Sequence, residues 1–149
     1  MKLKKILLLI LLAFAFHGFG QNSVTEINTK LGVKYLTKSL KYPIMGTYKF
    51  EGTEPIVTLN ANGTGMYQLH DEPVRPIQWG IECSKEGESK FIKGFDSAAY
   101  TLLYEYTDGV ERDTPVAWKS VELSVHFNKK KIYIQGEPVK DFNPIEKKK

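Results

Sequence analysis

The residues able to do chemistry are few and scattered. His70-Asp71-Glu72 sets an imidazole beside two carboxylates, His126 stands apart, and Cys83 is the single cysteine of the 149-residue chain. Covalent hydrolysis needs a nucleophile with a base held against it, and a metal site needs three or four converging ligands. The spacing supplies neither, so both histidines read as surface residues. Asp108, Glu111 and Asp113 lack the twelve-residue pattern of a calcium loop and read as a solvated acidic loop. Asn62-Gly63-Thr64 fits a glycosylation sequon, but Asn-Gly between two alternating runs is already explained as a type I′ turn. With no nucleophile–base pair to nominate, the chain reads as non-enzymatic, with no cofactor and no metal. Cys83 closes an apolar alternation and reads as a small buried hydrophobe, and a lone cysteine forms no intrachain disulfide.

The aromatic residues say more. Tyr48, Phe50, Tyr67, Trp79, Phe91, Phe95, Tyr100, Tyr104, Tyr106 and Phe127 fall on the face that the alternation turns inward. Phenylalanine and tryptophan are ordinary core residues, but each tyrosine hydroxyl needs a partner. Two readings follow: tyrosines near the ends of the fold with wet hydroxyls, or a ligand cavity. On the cavity reading, Trp79, Tyr100, Tyr104 and Tyr106 form its walls.

Those residues must be positioned by the elements around them, and the chain opens on a segment of another kind. Lys2, Lys4 and Lys5 precede an apolar run from Ile6 to Phe16, too short to span a bilayer, and His17-Gly18-Phe19-Gly20 offers small residues before Gln21. Residues 1–20 read as a secretory signal peptide, which places the mature protein in the periplasm or outside the cell. Its removal takes three of the 21 basic residues, leaving 18 against 17 acidic ones. That near-neutral balance argues against a nucleic-acid partner. No cysteine stands at the junction, as a lipid-anchored protein would need, and no stable membrane span is expected in the mature form.

Residues 21–43 read as an amphipathic helix, with a capping box at Ser23-Val24-Thr25-Glu26 and Val24, Ile27, Leu31, Tyr35 and Leu40 at near-helical spacing. Lys30, Lys34 and Lys38 line its polar side, which suits a solvated face or an anionic surface. From Met45 the period changes to two. Alternating runs at 46–50, 57–59, 67–69, 77–83, 91–95, 100–106, 121–127 and 132–134 give eight strands. Every connection is too short for a parallel crossover, so the strands form an antiparallel meander. The fold class is therefore all-β: an eight-stranded up-and-down meander closing into a small barrel after one N-terminal helix, with a two-sheet sandwich as the alternative. The barrel occupies residues 44–142, and 143–149 form a basic tail ending in Lys147–Lys149.

Several short motifs resemble the lipocalin-like (calycin) barrels, especially small exported bacterial members. Gly46-Thr47-Tyr48 sits where lipocalins carry Gly-x-Trp on their first strand, with tyrosine in place of the tryptophan. Leu59-Asn60-Ala61-Asn62-Gly63-Thr64-Gly65 is similar to the hairpin of such bacterial domains, Ile77-Gln78-Trp79-Gly80-Ile81 to the strand after it, and Leu123–Ile134 to the closing hairpin. Thr107-Asp108 lacks the tyrosine of the second lipocalin motif. The resemblance spans roughly residues 44–136 and implies a barrel that holds a small apolar or amphipathic ligand, with no ligand residue carried over. A second expectation is a protein-binding module, such as an exported inhibitor of a protease or lysozyme. It would use the loops His70–Pro76 or Thr107–Pro115 against a cell-envelope protein.

Overall fold

Period-two alternation commits each run from Gly46 onward to one buried face, and the short turns between runs oblige neighbours to pair antiparallel. The computed structural model describes residues 23–51, 56–68, 70–109 and 118–144. The signal at 1–20, Leu69, Glu111, Asp113 and most of the Thr107–Pro115 loop lie outside the described residues. In chain order the strands are β1 (Thr25–Thr29), β2 (Gly32–Thr37), β3 (Gly46–Lys49), β4 (Ile56–Leu59), β5 (Thr64–Tyr67) and β6 (Arg75–Cys83). They continue with β7 (Phe91–Lys93), β8 (Ser97–Tyr106), β9 (Lys119–His126), β10 (Lys131–Ile134), β11 (Glu137–Pro138) and β12 (Asp141–Pro144). All belong to one antiparallel sheet whose path runs β11-β10-β9-β8-β6-β5-β4-β3-β12, and it forms a half-barrel.

Each of the eight alternating runs overlaps a strand, the run at 67–69 only through Tyr67 at the end of β5, and seven of these strands follow one another in the sheet as a meander. The run at 91–95 differs. Its strand β7 pairs only with β8, opposite Ala98–Tyr100, while β6 pairs directly with Leu102–Tyr106 of the same strand. The long β8 therefore serves two successive partners on one edge.

Among the described residues of the segment read as a helix, 23–43, no helix is found. Thr25–Thr29 and Gly32–Thr37 form a hairpin, with Ile27 opposite Lys34 and Leu36 opposite Thr25. Gly32 lies at φ 101°, a left-handed conformation that a helix interior does not accept, and Thr29 Oγ1 donates to its carbonyl across the turn. Val24, Thr25, Ile27, Thr29, Val33 and Thr37 are β-branched, so the segment favours strand once a neighbouring edge is offered. That edge is the end of β6, where Tyr35, Leu36 and Thr37 pair with Cys83, Glu82 and Ile81.

The hairpin also gives the sheet a second apolar contact. Ile27, Leu36 and Leu103 form a small cluster, with Trp118 half-buried against it. Gly80 lies beneath, where an added Cβ would sit 2.7 Å from the Leu36 Cβ. The main core lies on the other face, around Tyr48, Leu59, Ile77, Trp79, Ile81, Leu102 and Leu123.

The turn at Asn60–Gly63 is not type I′. Only Gly63, at φ 83°, is left-handed, and Gly63 N–H donates to the Asn60 carbonyl. The geometry is that of a turn followed by a left-handed residue, a common three-residue hairpin connection. Both central residues are left-handed at Gln135 (φ 53°) and Gly136 (φ 80°), between β10 and β11. Beyond that turn, residues 137–144 pair with β10 through Glu137–Pro138 and with β3 through Asp141–Pro144. Between them Val139 N–H donates to Ile132 and Lys140 N–H to Lys49. β12 thus runs two residues into the segment read as a tail.

Candidate functional site

Of the ten aromatics read as inward, three are left exposed. Phe91, Phe95 and Phe127 are 53 %, 107 % and 45 % exposed. Phe95 sits in the β7–β8 turn and Phe127 one residue past β9, where strand alternation no longer dictates direction. Phe91 keeps the face of its cross-strand partner Tyr100, but β7 lies off the meander and leaves it half-uncovered.

These three rings meet Tyr42 and Tyr100 in a groove of about 610 Å³, whose rim carries Lys41 and Lys93. The Phe127 ring stands edge-on to Tyr42 at 6.5 Å, and Phe91 tilts against Tyr100 at 5.6 Å. The turn beneath is tightly held. Gly94 N–H donates to the Ser97 carbonyl, Phe127 N–H to the Asp96 carbonyl, and Asn128 N–H to the Asp96 carboxylate. A Cβ on Gly94 would lie 2.3 Å from Ser97 Oγ, so the turn needs glycine for close approach. Phe95 is therefore presented by an ordered turn. Among the described residues, Lys41 and Lys93 are exposed and neither has a carboxylate at ion-pair distance.

The four residues nominated as cavity walls are divided by the structure. Tyr100 lines the groove, and burial raises its phenol pKa. Trp79 is 2 % exposed in the centre of the core, and its indole N–H donates to the carbonyls of Thr64 (2.9 Å) and Asn60 (3.2 Å). It also borders a recess of about 340 Å³ under the β1–β2 hairpin, with Lys38 and Trp118. Tyr104 is buried and stacks on Tyr67 at 4.4 Å, with Tyr106 edge-on at 5.7 Å. Tyr106 is covered by Arg75, whose guanidinium lies 3.6 Å from the ring centroid while it grips Asp108 through two nitrogens. Tyr104 and Tyr106 thus come together, away from Tyr100.

Two other inward tyrosines have protein partners. Tyr48 donates its hydroxyl to the Ile44 carbonyl, and Tyr67 reaches Gln135 Oε1 at 3.5 Å. Burial, then the nearby Tyr106 and Glu137, pushes the Tyr67 phenol up to about 12, so it stays a donor at any physiological pH.

The sequence reading missed Lys41 and Tyr42, which were assigned to a helix end, and Lys93, which lay unremarked within the run at 91–95. The one available signal was Pro43, which keeps the residue before it extended; that residue, Tyr42, packs against the core. The remaining candidates lie elsewhere. His70 pairs with Glu137 at 2.8 Å on the surface at the far end, and the His126 ring packs against Tyr133. Cys83 is fully buried, and burial raises its thiol pKa, with Glu82 adding to the rise and Lys90 opposing it. Among the described residues no three His, Cys, Asp or Glu side chains converge to hold a metal.

One ion cluster ties the groove strands to the hairpin. Glu82 accepts from Lys34 Nζ at 2.8 Å and from Lys90 Nζ at 3.2 Å. Burial raises the carboxyl, but the hydrogen bonds and charges of the two lysines outweigh it and leave the pKa below the ordinary carboxylate value. A lowered acid pKa stabilises the fold above the unfolded value of about 4.3 and loses that contribution as pH falls through the folded value. Acidification from pH 5 should therefore cost about 1 kcal/mol from this cluster. Glu82→Gln should remove that part of the acid dependence in urea titrations. An unchanged acid profile in the variant would show that the cluster contributes nothing.

No family model matches the chain, and neither a curated protein nor a solved structure matches it.

Proposed function

We propose that this is an exported, non-catalytic, lipocalin-like protein that holds a small amphipathic molecule at the end of its barrel. The apolar part lies in the groove, and an acidic head group sits between Lys41 and Lys93. One observation carries this reading: five aromatic rings converge on a single groove of about 610 Å³ while three of them remain uncovered. Exposed phenylalanines held by an ordered turn mark a surface built to be covered, and the volume suits a small ligand. The core between the strands is occupied by Tyr48, Trp79 and Tyr104, which favours the end over the interior. On this reading the barrel is closed by residues 137–144, and their pairing with both β10 and β3 supports that closure.

The test is calorimetric titration with dodecanoic acid. Saturable binding is expected, and Phe95→Ala combined with Phe127→Ala should weaken it by roughly tenfold or more through lost apolar contact. Lys93→Glu should weaken dodecanoic acid but not dodecanol. No saturable binding, or equal affinity in the double variant with unchanged melting, would refute the site.

A further inference from the structure

The exposed large apolar side chains are concentrated at one end of the molecule. Leu31 belongs to the β1–β2 turn and Val33 to the start of β2, Phe91 and Ile92 to β7, Phe95 to the β7–β8 turn, and Phe127 to the turn after β9. The register places them together. β2 pairs antiparallel with the last residues of β6, so the β1–β2 turn projects beyond Cys83, beside the Ser84–Glu88 turn. β7 continues from that turn, and the Asp96–Asn128 contact joins the β7–β8 turn to the β9–β10 turn. Among the described residues only Val74 is a comparably exposed apolar side chain at the opposite end.

Lysines accompany them. Lys30 adjoins Leu31, Lys93 follows Ile92, and Lys129, Lys130 and Lys131 follow Phe127, all exposed. The acidic groups at this end are fewer and partly engaged: Glu82 by Lys34 and Lys90, and Asp96 by Asn128, with Glu86 and Glu88 left in their turn. The far end carries Glu51, Asp71, Glu72, Asp108, Glu137 and Asp141, interspersed with Lys49, Arg75, Lys119 and Lys140, and Arg75 is paired with Asp108. The apolar end therefore carries an excess of lysine, while acids and bases are mixed at the other end.

Apolar side chains interleaved with lysines suit a bilayer boundary, where the apolar groups enter and the ammonium groups stay at phosphate level. A protein partner fits less well, because interface cores are depleted in lysine. We propose that this end of the barrel docks on a membrane surface containing anionic phospholipid, with Leu31, Ile92, Phe95 and Phe127 inserted and the opening of the groove facing the lipid. The docking stands apart from whether the groove holds a ligand.

The experiment uses the full chain with vesicles of phosphatidylcholine, alone or mixed with phosphatidylglycerol, read by co-sedimentation and by hydrogen exchange. Binding to the anionic vesicles is expected, with protection at residues 91–97 and 127–131 and weakening as salt rises. Joint substitution Lys129→Glu, Lys130→Glu and Lys131→Glu should lower partitioning by more than tenfold, because each lysine near an anionic surface contributes roughly fivefold. Leu31→Ser with Ile92→Ser should lower it without changing dodecanoic acid affinity, so failure of the docking and failure of the ligand site show separately. Protection confined to residues 1–20, or variants that partition as well as the parent, would overturn the docking. So would a concentration-dependent dimer that disappears in Leu31→Ser/Ile92→Ser, since a second copy would then cover this end.

Discussion

Trp79→Ala should destabilise the protein by about 3–5 kcal/mol in urea unfolding, the range for emptying a large aromatic site in a packed core. The side chain is 2 % exposed and sits on β6 opposite Tyr104 of β8, one residue past the pairing with β5. Its indole N–H also reaches the Thr64 and Asn60 carbonyls, fastening the Asn60–Gly63 turn to the core. Trp79→Phe separates the two contributions. It keeps most of the apolar volume and loses the N–H, and both carbonyls keep a backbone donor, Asn60 N–H for Thr64 and Gly63 N–H for Asn60. That variant should cost about 1 kcal/mol beyond the smaller loss of volume. If Trp79→Ala cost no more than Trp79→Phe, the ring would not be a core element.

Gly65→Ala should cost about 3 kcal/mol, the upper part of the usual range for overpacking. An added Cβ would lie 2.1 Å from the Thr58 carbonyl oxygen, a backbone atom that no rotamer change can move. Relief requires β4 and β5 to separate where Leu59 pairs with Gly65. Gly136→Ala is the matched control. Its Cβ meets nothing within 4 Å, but φ is 80°, so only the left-handed strain of about 1–2 kcal/mol applies. Thermal or urea midpoints of the two variants test crowding against backbone strain. A Gly65→Ala protein no less stable than Gly136→Ala would show that the sheet absorbs the clash.

The runs from Tyr48 to Ile134 were legible because a strand buried on one face writes its period into adjacent residues. Val121, Leu123 and Val125 alternating with polar residues could be nothing else, and β9 lies there. Ile27, Leu31 and Tyr35 carried a helical spacing that was overridden. Gly32 permits a turn, the β6 edge at Ile81–Cys83 supplies hydrogen bonds, and the outer face of Leu103 supplies the apolar contact. Of these, only Gly32 lies within residues 21–43; the β6 edge and Leu103 cannot be inferred from that segment. The two short strands Glu137–Pro138 and Asp141–Pro144 were missed because each contains too few alternating residues to show a period. Among the nominated site residues, Tyr100 alone reaches the groove. The other three are taken up by the Asn60–Thr64 turn, by Tyr67 and by Arg75.

By itself the sequence determined the strand-forming runs, their antiparallel succession and the richness of one face in aromatic rings. Each of these follows from local alternation and from connections too short to cross over. Only the tertiary structure decided which rings are covered. Coverage of Phe95 and Phe127 depends on where a strand stops relative to the next turn, and coverage of Tyr104 on which ring stacks against it. Those are relations between residues distant in the chain, and pairing and packing create them where no period in the sequence records them.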